Sequence, residues 1–516
     1  MNKLFLPASL LAALLAAPLA HGKATAEEAA RLGKDLTAVG AEKAGNKDGT
    51  IPEWVGKPAF SEKMIRMTRG ELEKLRANLP KDLEKNLPKG TTFAGIVRQA
   101  REKLNAGDGA GAADIILKYQ PSYVKDFITY KIYGKDPTEF VKPLYVVTRD
   151  NLAQYGKYLT EGHKALFKTY PTYKMVVYPT VRNAFFPEEI YAATIKNAST
   201  ATLGGTDKVE GAVLGFPFPI PKAGAEPLWN HKLKYRGSAV QRYNNQAIVK
   251  PDGSFKITKL VEDVLFVYAN LKDRSMVKAA TPMIAYYLSE TKEPPRVAGQ
   301  FTLVHEKIGP GVEARSAWIF SPGLGRVNRA PDVGFDNPAI GTDGEQFYDQ
   351  VDVFNGALER YSYKLIGKKE ILIPYNSWIL NSPTFKYADL MMPGHMTPDF
   401  CRYELHRVWV VEATLVPGQR HQLKKRVFYL DEDSWSIAAV DGYDNRDQLW
   451  KFQEAHLLTI PFIPTVSGIP EVIYDLQTKR YFLTTMTNED PVSNFEIKYD
   501  QRVFSPAALQ RRASRR

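Results

Sequence analysis

From Val264 to Met486 the chain repeats one device, a short run rich in β-branched and aromatic residues followed by a break. The runs are Val264 to Ala269, Met283 to Ser289, Val297 to Lys307, Ala317 to Ser321 and Arg407 to Leu415, then Leu423 to Asp431, Trp435 to Tyr443, Leu449 to Ile460, Val472 to Asp475 and Tyr481 to Met486. Pro417-Gly418, Asp431-Glu432-Asp433 and Asp441-Gly442 read as turns between them. Gaps this short leave no room for crossover helices, so the strands should pair antiparallel. Consecutive strands of this length do not stay flat, and one large curved sheet is expected. The 27 Tyr, 25 Phe and 7 Trp agree, because aromatic residues favour pleated surfaces.

The earlier part of the chain reads differently. Residues 26 to about 170 are Lys/Glu-rich with helical spacing, as in Glu71 to Arg76 and Phe93 to Leu104, and are broken by Pro80, Pro88 and Gly107 to Gly111. A mixed region follows, with a strand-like Tyr173 to Tyr178, a helix from Pro187 to Ala198 and another over Glu226 to Tyr243. Between those helices the prolines of Gly215 to Pro221 forbid regular structure, so an extended loop should carry Phe216 and Phe218 inward. The expected organisation is a leader at 1–22, a helical extension at 23–170, a mixed covering region at 171–253, an antiparallel core at 254–500 and a basic tail at 501–516.

The leader reading rests on Lys3, the apolar run Leu4 to Leu19 and the small residues Ala20-His21-Gly22, which fit a secretion signal cleaved before Lys23. The run is too short and too broken by Pro7 and Pro18 to span a bilayer. A periplasmic protein is therefore expected. Cys401 is the only cysteine, so no intramolecular disulfide can form and the core must suffice. The formal charge of +12 includes Lys3. Arg511, Arg512, Arg515 and Arg516 read as a disordered, solvated end.

Catalytic patterns are missing. No G-x-S-x-G elbow, P-loop, G-x-G-x-x-G after a strand or H-E-x-x-H occurs, and the histidines at 163, 231, 305, 395, 406, 421 and 456 are scattered. No enzyme, cofactor, metal site or nucleic-acid partner is expected. Glu454 and His456, two apart on one strand face, read as a structural hydrogen-bonded pair. Asn46 to Ile51 copies the middle of an EF-hand loop, but Ala44 and Val55 occupy its first and twelfth positions, so a plain Asx turn is expected. The strands carry the functional hint: both parities of Arg407 to Leu415 and of Leu449 to Ile460 hold apolar residues, so this sheet must be covered twice. Trp409, Val411, Trp435, Ile437, Trp450 and Phe452 are the candidates to line a concave apolar site.

Leu36 to Asn46 and Asp48 to Trp54 resemble the opening of the DUF1329 family of secreted proteobacterial proteins. The likeness continues through Gly215 to Pro221, Leu228-Trp229-Asn230, Arg236-Gly237, Arg326 to Asp332, Phe335 to Pro338, Phe354 to Ala357, Tyr403 to Glu412 and Tyr429 to Trp435. The resemblance implies kinship with the LolA/LolB lipoprotein carriers. It implies an α+β fold, mainly antiparallel β, in which a large curved sheet or open half-barrel has a helical N-terminal extension and covering helices. It further implies a periplasmic carrier or chaperone for a lipid or other hydrophobic molecule, serving an RND-type exporter beside an outer-membrane partner. The alternative is a non-catalytic envelope scaffold that binds such partners and no ligand. Arg326, Arg329, Asp332, Asp336 and Asp343 are candidates for docking a partner.

Overall fold

The computed structural model describes residues 23–56, 58, 62–119, 141–276, 283–309, 314–331 and 333–515, and the expected leader at 1–22 lies outside them. Two short strands come first, β1 (Tyr145–Val147) and β2 (Met175–Tyr178), then a separate hairpin of β3 (Thr202–Gly204) and β4 (Lys208–Glu210). A meander follows through β5 (Ala239–Val249), β6 (Phe255–Phe266), β7 (Met283–Glu293), β8 (Phe301–Lys307), β9 (Arg315–Ser321) and β10 (Arg326–Arg329). Next come β11 (Tyr361–Pro374) and a small hairpin of β12 (Met391–Met392) and β13 (His395–Met396). A second meander runs through β14 (Tyr403–Leu415), β15 (Lys425–Asp431), β16 (Ile437–Tyr443), β17 (Leu449–Ile460), β18 (Thr465–Asp475) and β19 (Tyr481–Met486).

Among the described residues, fifteen of these strands form one sheet, antiparallel except where β2 meets β14. The two meanders fuse where β19 pairs with β5, at Tyr481↔Val249, Phe482↔Ile248 and Leu483↔Ala247. β10 ends the path on one side, and β11 lies along the outer edge of β14 on the other, so the sheet is curved and unclosed. Register shifts at Leu365/Gly367, Gly442/Tyr443 and Ala455/Leu457 mark bulges, which increase local twist. No helix among the described residues is long and apolar enough to cross a membrane.

The sheet is covered on both faces where its strands are apolar on both parities. On one face lies the helix Glu161–Thr169. Its N-terminal amides at Glu161 and Gly162 donate to the Asp441 carboxylate of β16, at 3.2 and 2.8 Å. A negative group there satisfies amides that have no partner within the helix. Asp441-Gly442 is thus not the turn read from sequence; the chain reverses after β16, where Asp444 accepts from the amides of Arg446 and Gln448. On the other face the segment before β11 grips β17, Gln350 bonding Gln453 at 2.9 Å and Glu345 pairing with Lys451 at 3.2 Å. Phe216 and Phe218 are buried in an irregular loop, as expected.

The segment Leu36 to Trp54 is tied to the sheet by backbone capture. Trp435 donates its indole N–H to the Val39 carbonyl at 2.9 Å, Arg182 donates to the Glu42 carbonyl at 2.7 Å, and Arg407 donates to the Ala44 carbonyl. Within it Asn46 accepts from the Ile51 amide and Asp48 from the Thr50 hydroxyl, which makes the EF-hand-like stretch an Asx turn.

Three expectations are corrected. The helix starting at Glu226 ends at Leu233, and Ala239–Val249 is a strand. The helix stops where Lys234 turns extended, Gly237 at φ +88° follows before the strand, and the polar residues Arg242, Asn244 and Gln246 give that strand no apolar alternation to read. β11 was not anticipated for the same reason, being rich in Lys. The basic tail is not disordered: Pro506–Ala513 is a helix capped by Ser505, its Leu509 and Ala513 packing with Phe504 on Leu288, Leu303 and Phe320. Arg512 reaches Asp263 at 2.7 Å.

Gly162 faces the Phe452 ring so closely that an added Cβ would sit 1.9 Å from it. Gly162→Ala is expected to destabilise the protein by about 1–3 kcal/mol, the usual cost of overpacking. A urea midpoint unchanged from wild type would show that this helix is not seated as described.

Candidate functional site

The six apolar candidates divide into a filled core and its margin. Val411, Trp435, Ile437 and Phe452 are fully buried. Trp409 is half-buried and stacks on Trp435 with centroids 6.1 Å apart, and Trp450 donates to Asp475 at 3.0 Å. None of the six lines the open space over β5 to β8.

That space is a cleft of about 240 Å³ over β5 to β8, closed at its sides by β18, β19 and the segment 333–355. Strand register explains its lining. One rung across the sheet is apolar, Val240↔Val264, Val264↔Tyr287 and Tyr287↔Val304. The next rung is Arg242↔Glu262, Glu262↔Ser289 and Ser289↔Thr302. The rung on the other side ends in Glu306↔Arg315. Strand side chains two apart share a face, so all three rungs look into the cleft. The opposite parity of the same strands, including Leu265, Tyr286, Leu288 and Leu303, packs under the C-terminal helix. Ile340 and Val351, 43% and 37% exposed, stand at the rim on the covering segment.

The cleft is charged at its edges. Arg242 donates to Glu262 at 2.6 Å, and Asn244 and Tyr287 also donate to that carboxylate. Arg315 pairs with Glu306 at 2.7 Å and Arg236 with Asp352 at 2.6 Å. Burial opposes ionisation of Asp352, but Arg236, Lys234 and His231 outweigh it and hold the carboxyl well below its usual range. Burial, with Asp352 nearby, pushes Glu471 up to about 8. Burial lowers Lys232 and Lys234 to about 8 and His231 to about 3. Sequence reasoning gave none of these residues a site role, and on β5 polar residues on both parities leave no periodic signal.

The expected Glu454–His456 pair is replaced by another. Glu454 bonds His163 at 2.8 Å and the Tyr403 hydroxyl at 3.2 Å, whereas neither ring nitrogen of His456 has a hydrogen bond among the described residues. Burial lowers His456 to about 4, so it is neutral. Elsewhere the ligand atoms of His406, Asp431 and Asp433 lie within 4.8 Å of one another, as a metal site would require. The set is already occupied by charge partners: His406 bonds Glu404 at 3.2 Å and approaches Asp431 at 3.6 Å, while Arg182 holds Asp433 at 2.7 Å.

Of the docking candidates, Arg326 and Arg329 are exposed on the edge strand β10. Asp336 pairs with Arg360 at 3.4 Å and accepts from the Gln422 amide, and Asp343 is exposed in a turn at φ +49°. Asp332 lies outside the described residues.

The family model described as a protein of unknown function (DUF1329) matches residues 146–510. The chain is 37% identical over 517 residues to an uncharacterized protein of Pseudomonas aeruginosa, covering 100% of this chain and 99% of that one. Among solved structures, it is similar to a DUF1329 family protein from Desulfovibrio piger, at 15% identity and TM-score 0.36 over 53% of this chain and 92% of that one. It is also similar to a LolA superfamily protein from Nitrosomonas europaea, at 10% identity and TM-score 0.34 over 55% of this chain and 98% of that one.

Burial disfavours the His406 imidazolium, but the neighbouring Asp431 and Glu404 carboxylates outweigh it and raise the pKa to about 9. A raised histidine pKa stabilises the fold fully below the unfolded value of about 6.5 and loses that contribution as pH rises through about 9. His406→Gln is therefore expected to flatten the fall in urea-measured stability between pH 6.5 and 9 relative to wild type. Identical slopes in the two proteins would contradict a charged His406.

Proposed function

The chain belongs to the DUF1329 family, and from that premise we propose that it is a carrier holding a lipid or another hydrophobic molecule in the cleft over β5 to β8. One observation carries the proposal: two halves of a single sheet are treated differently. Over β14 to β17 the apolar side chains are packed solid beneath covering segments. Over β5 to β8 the rung of Val240, Val264, Tyr287 and Val304 lines a cleft instead, Val240 and Val264 buried in its floor and Tyr287 and Val304 partly exposed to it. Apolar residues left beside a cleft are costly in water unless something covers them. Ile340 and Val351 at the rim add to that surface. The volume approaches the lower end of small-molecule sites, roughly 300 Å³, and suits one apolar chain held in part.

The finer reading places this carrier in the periplasm, delivering its cargo to an RND-type exporter beside an outer-membrane partner. Its support is the leader pattern of residues 1 to 22 together with the family resemblance. The surface we assign to the partner is the exposed end of β10, with Arg326 and Arg329.

Nile red, a neutral apolar fluorophore, should bind saturably to the wild-type protein. Val304→Asp places a carboxylate against the apolar rung and should weaken binding at least tenfold, about 1.4 kcal/mol, with unchanged circular dichroism. Val411→Asp, in the filled half, should unfold the protein instead. Wild-type protein that binds no apolar probe would end the carrier reading and leave the scaffold in its place.

A further inference from the structure

We infer that the cargo is an anionic amphiphile, its acidic headgroup seated on Arg242 and its apolar part on the rung of Val240, Val264 and Val304. This rests on the carrier reading and adds the chemistry of the ligand. The two rungs are neighbours on one sheet face, two residues apart along each strand, or roughly 6.6 Å. A molecule lying on the apolar rung therefore has its end at the charged one.

The order of charges across the second rung selects the sign. The Arg242 side chain is 34% exposed, whereas its partner Glu262 is 2% exposed, so the guanidinium is the group a ligand meets and the carboxylate stands behind it. Glu262 is satisfied three times over, by Arg242, Asn244 and Tyr287. Arg242 spends only its Nε on that bond, and the described residues give its two Nη groups no hydrogen-bond acceptor. Two parallel N–H donors on a planar fork match the oxygens of a carboxylate or phosphate. A cationic headgroup would meet the wrong charge first.

The rest of the cleft points the same way. Lys232, Lys234, Arg236, Arg242 and Arg315 line it against Glu262, Glu306, Asp352 and Glu471. Burial and Asp352 keep Glu471 protonated near neutrality, which leaves the lining more positive than the bare count. The side chains that continue the second rung and its neighbours, Ser289, Thr302, Thr291 and Gln300, can donate to headgroup oxygens without adding negative charge.

The test is displacement of Nile red at low ionic strength by oleate, by oleyl alcohol and by inorganic phosphate. Oleate should bind at least tenfold tighter than the alcohol. Phosphate at the same concentration should displace nothing, since the site needs the chain as well as the charge. Removing Arg242 alone would strand Glu262, so the variant pairs Arg242→Met with Glu262→Gln, whose amide oxygen can still accept from Asn244 and Tyr287. It should bring oleate down to the affinity that the alcohol shows for the same variant. Equal affinity of oleate and alcohol for the wild type, with Nile red still bound, overturns the headgroup and spares the carrier. Displacement by phosphate replaces the amphiphile with a free anion. Failure of Nile red itself removes the carrier and this inference together.

Discussion

The pairing of β19 with β5 is the constraint on which the architecture turns, because it is the one place where the two meanders become a single sheet. Without it, β5 to β10 and β14 to β19 would each present long edges and two faces to be covered separately. With it, the sheet curves continuously from β10 to β14 and does not close. An unclosed curved sheet has a hollow that must be filled or used. This chain fills the half over β14 to β17 and leaves the half over β5 to β8 open.

The filled half is held in register by buried charges rather than by apolar contact alone. Arg182 clasps Asp433 while reaching the Glu42 carbonyl, Asp441 receives two amides of the helix Glu161–Thr169, and Glu454 takes His163 from that helix. Burying such groups is costly unless every partner is in place. Only one seating of each covering segment satisfies them. The family-like stretches Leu36 to Trp54 and Tyr429 to Trp435 are the two sides of one such contact, since Trp435 donates to Val39 and Arg182 links Glu42 to Asp433. The segment 333–355 serves both halves, anchoring on β17 through Gln350 and Glu345 while presenting Ile340 and Val351 to the cleft.

The strands of the second meander were legible because apolar residues on both parities mark two-sided burial, and the structure places helix and loop on either side of β17. Whether that apolar mass lines a site or fills a core depends on what covers it. Phe452 is covered by Gly162, some 290 residues earlier, and no local pattern shows such a contact. The cleft was hidden for the opposite reason. β5 turns Arg242, Asn244 and Gln246 toward the cleft, so it lacks the alternation that marks a strand and reads as a continuation of the helix before it, whereas β6, β7 and β8 were legible in part. The residues that line the cleft on β5 are those that make that strand hard to see. The tail misled in a similar way: four arginines obscured the four-residue spacing of Leu509 and Ala513, which seats the final helix.

The ligand is expected in the open half of the sheet rather than the filled one. This placement is tested most directly by photolabelling the protein with a diazirine-bearing fatty alcohol and mapping the adducts by mass spectrometry. Adducts are expected within residues 239–307 and 333–355, where the cleft strands and the covering segment lie. Adducts confined to residues 407–460, around Trp409, Val411 and Trp450, would contradict that placement.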